Sequence, residues 1–270
     1  MELRDRHVVL TGAGSGIGRG LAYRFAQEEP RALVLSDVDA EAVQAVADEL
    51  GAYAIAADVS SADGVGGLVS AAERAHGPIE VFFSNAGVPG PPGGPESGSD
   101  DEWQLTWKVN VMAHVWAARA LLPGMVQRGE GYLLSTASAA GLLTQVSAAA
   151  YSVTKHAAVA FAEWISINYH DAGVRVSCLC PQAVNTPMLD QALEHDPVGS
   201  VPLLAGGVLE PSEVAEAVVA AIREERFLIL PHPVVGEYLA LKGAQPDRWL
   251  AGMRKLLRGA REAAANPSDR

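Results

Sequence analysis

The sequence predicts a single α/β domain in which a seven-stranded parallel sheet is doubly wound, with helices on both faces. Three observations carry this. Short runs of apolar and β-branched residues alternate with stretches of helical periodicity along most of the chain. The first run is followed at once by a glycine-rich turn and an amphipathic segment, the order strand, turn, helix. Finally, 270 residues with 49% hydrophobic content fill one α/β core, and no internal repeat or long linker divides them.

The elements follow in chain order. His7–Leu10 is the first strand, and the spacing of Leu21, Ala22, Phe25 and Ala26 makes the next segment a helix. Ala32–Ser36 is the second strand, and Asp39 stands where an N-cap for Ala-Glu-Ala-Val belongs. Ala52–Ala56 and Val81–Ser84 are the third and fourth strands. Val88-Pro-Gly-Pro-Pro-Gly-Gly-Pro95 is an irregular, stiff loop. Ser99-Asp-Asp-Glu102 has capping-box spacing and opens a long helix to about Val126. Tyr132–Thr136 and Val174–Leu179 are strands on either side of a helix spanning Tyr151–Tyr169. Between Pro187 and Pro211, apolar residues broken by Gly and Pro have the composition of a mobile lid, and Phe227–Leu230 is the last strand. Residues 1–232 form the core. Residues 233–270 form a helical extension that packs on the lid or a neighbouring subunit and is expected to fray from about Gly259.

Two constellations carry chemistry. In Gly12-Ala-Gly14-Ser15-Gly16-Ile17-Gly18 the glycines let a pyrophosphate approach the backbone, and the N–H groups opening the following helix favour its charge. The G-x-G-x-x-G spacing fails, because its last position falls on Ile17. Asp37, at the tip of the second strand and nineteen residues past Gly18, can accept hydrogen bonds from ribose hydroxyls and would repel a 2′-phosphate. Further along, Tyr151 and Lys155 share a helix face behind Ser138. An ammonium at roughly 4 Å from the phenol is worth on the order of 4 kcal/mol, about three pKa units, which would bring the tyrosine toward neutral pH as an acid–base group.

With these residues in view, the chain resembles the short-chain dehydrogenase/reductase family from Leu3 to about Pro231. The motifs stand in family order: Thr11 to Gly18, Asp58-Val59, Asn85-Ala86-Gly87, Asn110, Ser138, Tyr151-x-x-x-Lys155, and Pro181 through Val184 to Thr186. The resemblance implies a Rossmann-type fold, a nicotinamide cofactor, no metal, and a dimer or homotetramer built on the helices 100–126 and 151–169. The cofactor would lie on Gly12, Ser15, Gly16, Ile17, Gly18, Asp37, Asp58, Val59, Asn85, Ala86, Gly87, Tyr151, Lys155, Pro181, Val184 and Thr186. It implies Tyr151 as acid–base residue, Ser138 on the substrate oxygen, Lys155 on the nicotinamide ribose and Asn110 holding a relay water. The family's usual Pro-Gly is Pro181-Gln182 here, so Gln182 either contacts substrate or points to solvent. Leu142, Leu143 and Val146 beside Tyr151, with Met188 in the lid, suggest an apolar substrate body.

The expected activity is therefore NAD-dependent interconversion of a hydrophobic secondary alcohol and its ketone. A 3-oxoacyl-thioester reductase is the alternative. That activity usually goes with NADPH and a basic residue in the glycine loop or after the second strand, where Ser15 and Val38 stand. A binding protein that senses nucleotide without turnover is a further alternative, weakened by the intact catalytic set. A formal charge of −12 argues against nucleic acid or anionic lipid as partner. No apolar run nears the roughly 20 residues of a membrane helix, and Met1-Glu-Leu-Arg-Asp leads straight to the first strand, which suggests a cytoplasmic protein. Cys178 and Cys180, taken as facing opposite sides of their strand, are expected to be unpaired thiols.

Overall fold

The computed structural model describes residues 1–196 and 199–265. Its frame is a sheet of seven parallel strands: β1 (His7–Thr11), β2 (Ala32–Asp37), β3 (Tyr53–Ala56), β4 (Val81–Ser84), β5 (Gly131–Thr136), β6 (Val174–Leu179) and β7 (Leu228–Ile229). The spatial order is β3-β2-β1-β4-β5-β6-β7, so the winding reverses between β1 and β4. A crevice opens at such a reversal, beyond the carboxyl ends of the strands. All seven expected strands are present, with β3 beginning one residue later and β7 cut to two residues.

Why the sheet is parallel is visible in burial. β1, β4 and β5 are buried along their whole length, as strands covered on both faces must be. Side chains alternate between two cores. Val9, Phe82, Leu133 and Val176 face one, with Leu68 of α3 (Ala62–His76), Leu121 of α5 (Ala113–Arg128) and Ile165 of α7 (Ala149–Tyr169). Val8, Phe83, Leu134 and Leu179 face the other, with Phe25 of α1 (Gly16–Ala26), Val46 of α2 (Ala40–Leu50) and Val218 of α9 (Pro211–Glu224). The adjacent phenylalanines Phe82 and Phe83 thus anchor opposite layers, and Phe83 meets Phe25 with ring centroids 6.3 Å apart.

Local sequence sets the helix ends. Asp39 caps α2 by accepting from Glu41 N and Ala42 N, and Gly51 closes it with φ +63°. Ser99 and Glu102 form the expected capping box of α4 (Asp100–Trp107). The long helix expected here is interrupted, because a π-turn spans Lys108–Met112 between α4 and α5 and the amide of Ala113 bonds back to the Lys108 carbonyl. A π-turn inserts a residue into the helix and rotates the next turns about the axis, a device common beside functional sites, and this one carries Asn110.

One expectation changes. Cys178 and Cys180 share one face of the strand, as residues two apart must, with Sγ atoms 3.8 Å apart and both thiols free and buried. The stretch after Thr186 is partly helical. Thr186 caps α8 (Pro187–His195), with Pro187 in its first turn, and a 3₁₀ turn follows at Val201–Gly206. In the extension, α10 (Val234–Ala244) packs on α6 (Ala140–Leu143), where Lys242 Nζ donates to the Leu142 carbonyl at 2.5 Å. α11 (Pro246–Ala265) remains helical past Gly259, and residues 266–270 lie outside the described part. No described helix is long and apolar enough to cross a membrane.

Candidate active site

A cavity of about 760 Å³ runs along the carboxyl ends of β1, β2, β4, β5 and β6. One half is lined by Gly12, Ser15, Gly16, Ile17 and Gly18, by Asp37 and Val38 after β2, by Asp58 and Val59 after β3, and by Asn85, Ala86 and Gly87 after β4. The other half holds Ser138, Tyr151, Lys155, Pro181, Gln182, Val184, Thr186 and Met188.

The glycine turn fits a bound pyrophosphate. Gly12 and Gly16 have φ +67° and +50°, and a Cβ on Gly12 would come within 2.8 Å of Ala86 Cα. Ser15 begins α1 without capping it through its side chain, and the first turn carries no acidic residue. Among the described residues no side chain caps the amides at that helix start. Asp37 braces the turn, its Oδ2 accepting from Gly14 N at 2.9 Å. Its Oδ1 accepts from Asp39 N at 3.2 Å while Asp39 does the helix capping, and Asp37 lines the cavity. Neither nearby arginine compensates Asp37. Arg31 pairs with Glu80 at 2.9 Å, and Arg19 lies with Tyr23 and Glu49.

Asn85 joins three strands. Its Nδ2 donates to the carbonyl oxygens of Thr11 (3.0 Å) and Gly12 (3.3 Å), its Oδ1 accepts from the Thr136 hydroxyl (2.9 Å), and its amide donates to Thr11 Oγ1 (3.0 Å). This holds the switch point rigid while Ala86 and Gly87 cross it. Asp58 turns the chain after β3 by accepting from Ser60 N at 2.8 Å and Ser60 Oγ at 2.9 Å.

On the other side Ser138 and Tyr151 line the same stretch of the cavity, near enough for the serine hydroxyl to act on the phenol. The Ser138 oxygen accepts from Ala140 N at 3.1 Å, which fixes its position at the start of α6. Lys155, buried, donates from Nζ to the Thr136 carbonyl at 2.9 Å and lies 5.6 Å from the Tyr151 ring centroid. The expected depression of the phenol is not found in the chain alone. Desolvation is the strongest influence on Tyr151 and raises its pKa, against the weaker pull of Ser138. Burial likewise brings Lys155 down to about 8.

Asn110 is fully buried and does not line the cavity. Its side chain accepts from Val88 N (2.9 Å) and donates to the Val88 carbonyl (2.9 Å) and Thr154 Oγ1 (3.1 Å). With these contacts the Asn110 side chain clamps the turn after Gly87 to the helix bearing Thr154. A Cβ on Gly87 would sit 3.2 Å from Lys155 Nζ and 3.3 Å from Asn110 Oδ1, which explains a glycine there.

Leu142 and Val146 do not line the cavity. α6 turns Leu142 and Leu143 into the core, while Gln145, Ser147 and Ala148 take the wall instead. Gln182 lines the cavity partly exposed, and its Nε2 donates to the Pro202 carbonyl at 2.9 Å. Sequence reasoning missed Thr136, Thr154 and His114. The first two act through a backbone carbonyl and a helix hydroxyl that no residue pattern singles out. The only available signal for His114 was its place one helical turn past Asn110.

A nucleotide-shaped cleft at a topological switch point, with a Ser–Tyr–Lys cluster at one end, defines a nicotinamide-dependent oxidoreductase site. The short chain dehydrogenase family model matches residues 6–197, and the chain belongs to that family. It is 37% identical to 1-deoxy-11-beta-hydroxypentalenate dehydrogenase of Streptomyces exfoliatus, over 85% of this chain and 84% of that one. It is 30% identical to human estradiol 17-beta-dehydrogenase 11, over 92% of this chain and 82% of that one. The crystal structure of a short chain dehydrogenase/reductase from Burkholderia phymatum in complex with NAD superposes with a TM-score of 0.81 at 33% identity, covering 92% and 96% of the two chains. The protein is accordingly an oxidoreductase acting on CH–OH groups.

Proposed function

We propose that this enzyme interconverts a hydrophobic secondary alcohol and its ketone with NAD as the preferred cofactor. The observation that carries the reading is that Ser138 and Tyr151 face the same cavity as the glycine turn and Asp37. Gly12 to Gly18 hold the pyrophosphate, Asp37 the adenosine ribose, Asp58 and Val59 the adenine, and Asn85 to Gly87 with Lys155 the nicotinamide ribose. Pro181, Val184 and Thr186 wall the nicotinamide side. When bound, the nicotinamide ring supplies the acceptor for a hydride.

Oxidation removes a hydride and a proton from one carbinol, so a base must stand beside the hydroxyl and a donor where oxygen charge changes. Tyr151 takes the hydroxyl proton, and Ser138 donates to the substrate oxygen. Burial favours the protonated phenol, and that form is the proton donor for reduction. For oxidation the phenol must be eased by positive charge, which Lys155 and an oxidised cofactor supply together. Asn110 holds Val88 and, through Gly87, the floor beneath Lys155. Exposed Trp107, Leu105, Val153, Trp164 and Ile167 on α4 and α7 support a dimer or tetramer built on those helices.

Incubation with NAD and panels of hydroxysteroids, terpenoid and aryl alcohols, sugars and hydroxyacyl thioesters, read as NADH absorbance, tests the reading. Turnover of apolar secondary alcohols is expected. Turnover of thioesters alone would replace it with the acyl-thioester activity.

A further inference from the structure

Gln182 follows the buried Pro181 at the end of β6, where the cavity floor meets the segment that covers it. Two bonds hold it. Its backbone N–H donates to Nδ1 of the buried His232 at 3.1 Å, fixing the main chain from the β7 side. Its side-chain Nε2 donates to the Pro202 carbonyl at 2.9 Å, inside the 3₁₀ turn Val201–Gly206. Its Oε1 is enclosed, has no partner among the described residues, and fills the space a side chain on Gly206 would need.

The near end of the turn is held by Ser200, whose N–H donates to the Asp196 carbonyl and whose hydroxyl donates to the Ala192 carbonyl, each at 3.0 Å. None of its residues is buried, and Val201 and Leu204 remain 49% and 41% exposed. Its far end is fixed by main chain alone, where Leu209 pairs with Val184, its N–H donating to the Ala183 carbonyl at 3.1 Å. Gly207 at φ +84° makes the bend between the two. With so little apolar area, one buried hydrogen bond is a large share of the local stability. Leu203 from this turn and Ser200 just before it line the cavity, so the height of the turn sets the room above the reacting carbon.

We propose that Gln182 is a specificity-determining residue, tying the Val201–Gly206 turn to the cavity floor and so limiting the bulk of substrate the cleft accepts. The specificity rests on the dehydrogenase reading, but the tether does not. A glycine at this position has no side chain to reach Pro202, and a glutamate keeps the volume while its carboxylate has no proton to donate.

Two measurements on the full-length protein test this, with Gln182→Gly and Gln182→Glu. Hydrogen–deuterium exchange of the ligand-free protein is expected to speed up at least about threefold in residues 199–206 in both variants, with β6 unchanged. Unaltered exchange would overturn the tether. Next, kcat/KM is measured with NAD and secondary alcohols graded in bulk from a short chain to a fused bicyclic ring. The ratio of the bulkiest to the smallest is expected to rise at least about fivefold in both variants. A uniform loss across the series would overturn the specificity role. If the unaltered enzyme turns over no alcohol, the dehydrogenase reading fails and the exchange result alone decides on the tether.

Discussion

The Lys155 ammonium donates to the Thr136 carbonyl across 2.9 Å, at the carboxyl end of β5, rather than to the Tyr151 phenol. Its charge is therefore moored to the sheet on the cavity side, close to where a ribose hydroxyl is to be bound. Burial makes that charge costly and lowers the lysine to about 8.

The first prediction rests on this mooring. Between about pH 8 and the ordinary lysine pKa the unfolded chain binds more protons than the folded one, so the Lys155 contribution to stability rises with pH across that window. Lys155→Met is expected to be more stable relative to the parent at pH 7 than at pH 10. The difference is on the order of 3 kcal/mol, read from urea midpoints of the ligand-free proteins at the two pH values. Parallel stability curves would show that the buried cation carries no such cost.

His114 behaves as an acid-side counterpart. Buried without a ring hydrogen-bond partner among the described residues, it is pushed down to about 3, first by burial and then by the Lys155 charge. Its folded pKa lies below the unfolded value, so stability is lost as pH falls from about 6.5 toward 3. His114→Leu should lose less stability than the parent between pH 7 and 4, by about 2–3 kcal/mol. Thermal unfolding across that range checks it, and an equal loss in both proteins would refute it.

Tyr151→Phe is expected to fold normally and bind NADH with near-parent affinity while kcat falls at least about 100-fold, the usual scale for a lost acid–base group. Circular dichroism, NADH fluorescence titration and steady-state rates check the three parts. Near-parent turnover would remove Tyr151 from the chemistry.

Cofactor choice rests on Asp37, with Val38 73% exposed beside it and no arginine at hand. At least about a 100-fold preference for NAD over NADP in kcat/KM is expected, roughly 2.7 kcal/mol. Asp37→Ser with Val38→Arg should erode or reverse it. Equal efficiency of the parent with both cofactors would show that Asp37 does not read the ribose.

Ile167 is 80% and Trp164 54% exposed on α7, and Trp107 is 39% exposed on α4. Light scattering at micromolar concentration is expected to give a dimer or tetramer, and Trp164→Glu with Ile167→Asp a smaller species. A monomeric parent would rule this interface out.

By itself the sequence determined the architecture and the two local motifs that end up on the cavity wall. Alternating apolar runs place seven strands, because a strand buried on both faces has no other composition open to it. The turn from Gly12 to Gly18 and the spacing of Tyr151 and Lys155 are local, so they are readable as written. Direction and partnership are not local. Only packing decided that Lys155 reaches Thr136, that Asn110 bonds to Val88, that Leu142 turns into the core, and that Gln182 spans from β6 to Pro202. Each of those contacts joins residues some twenty positions apart or depends on which side of a short helix faces the sheet. Tertiary structure alone sets both, and with them the protonation of buried Tyr151, Lys155 and His114, because desolvation exists only once the fold has closed around them.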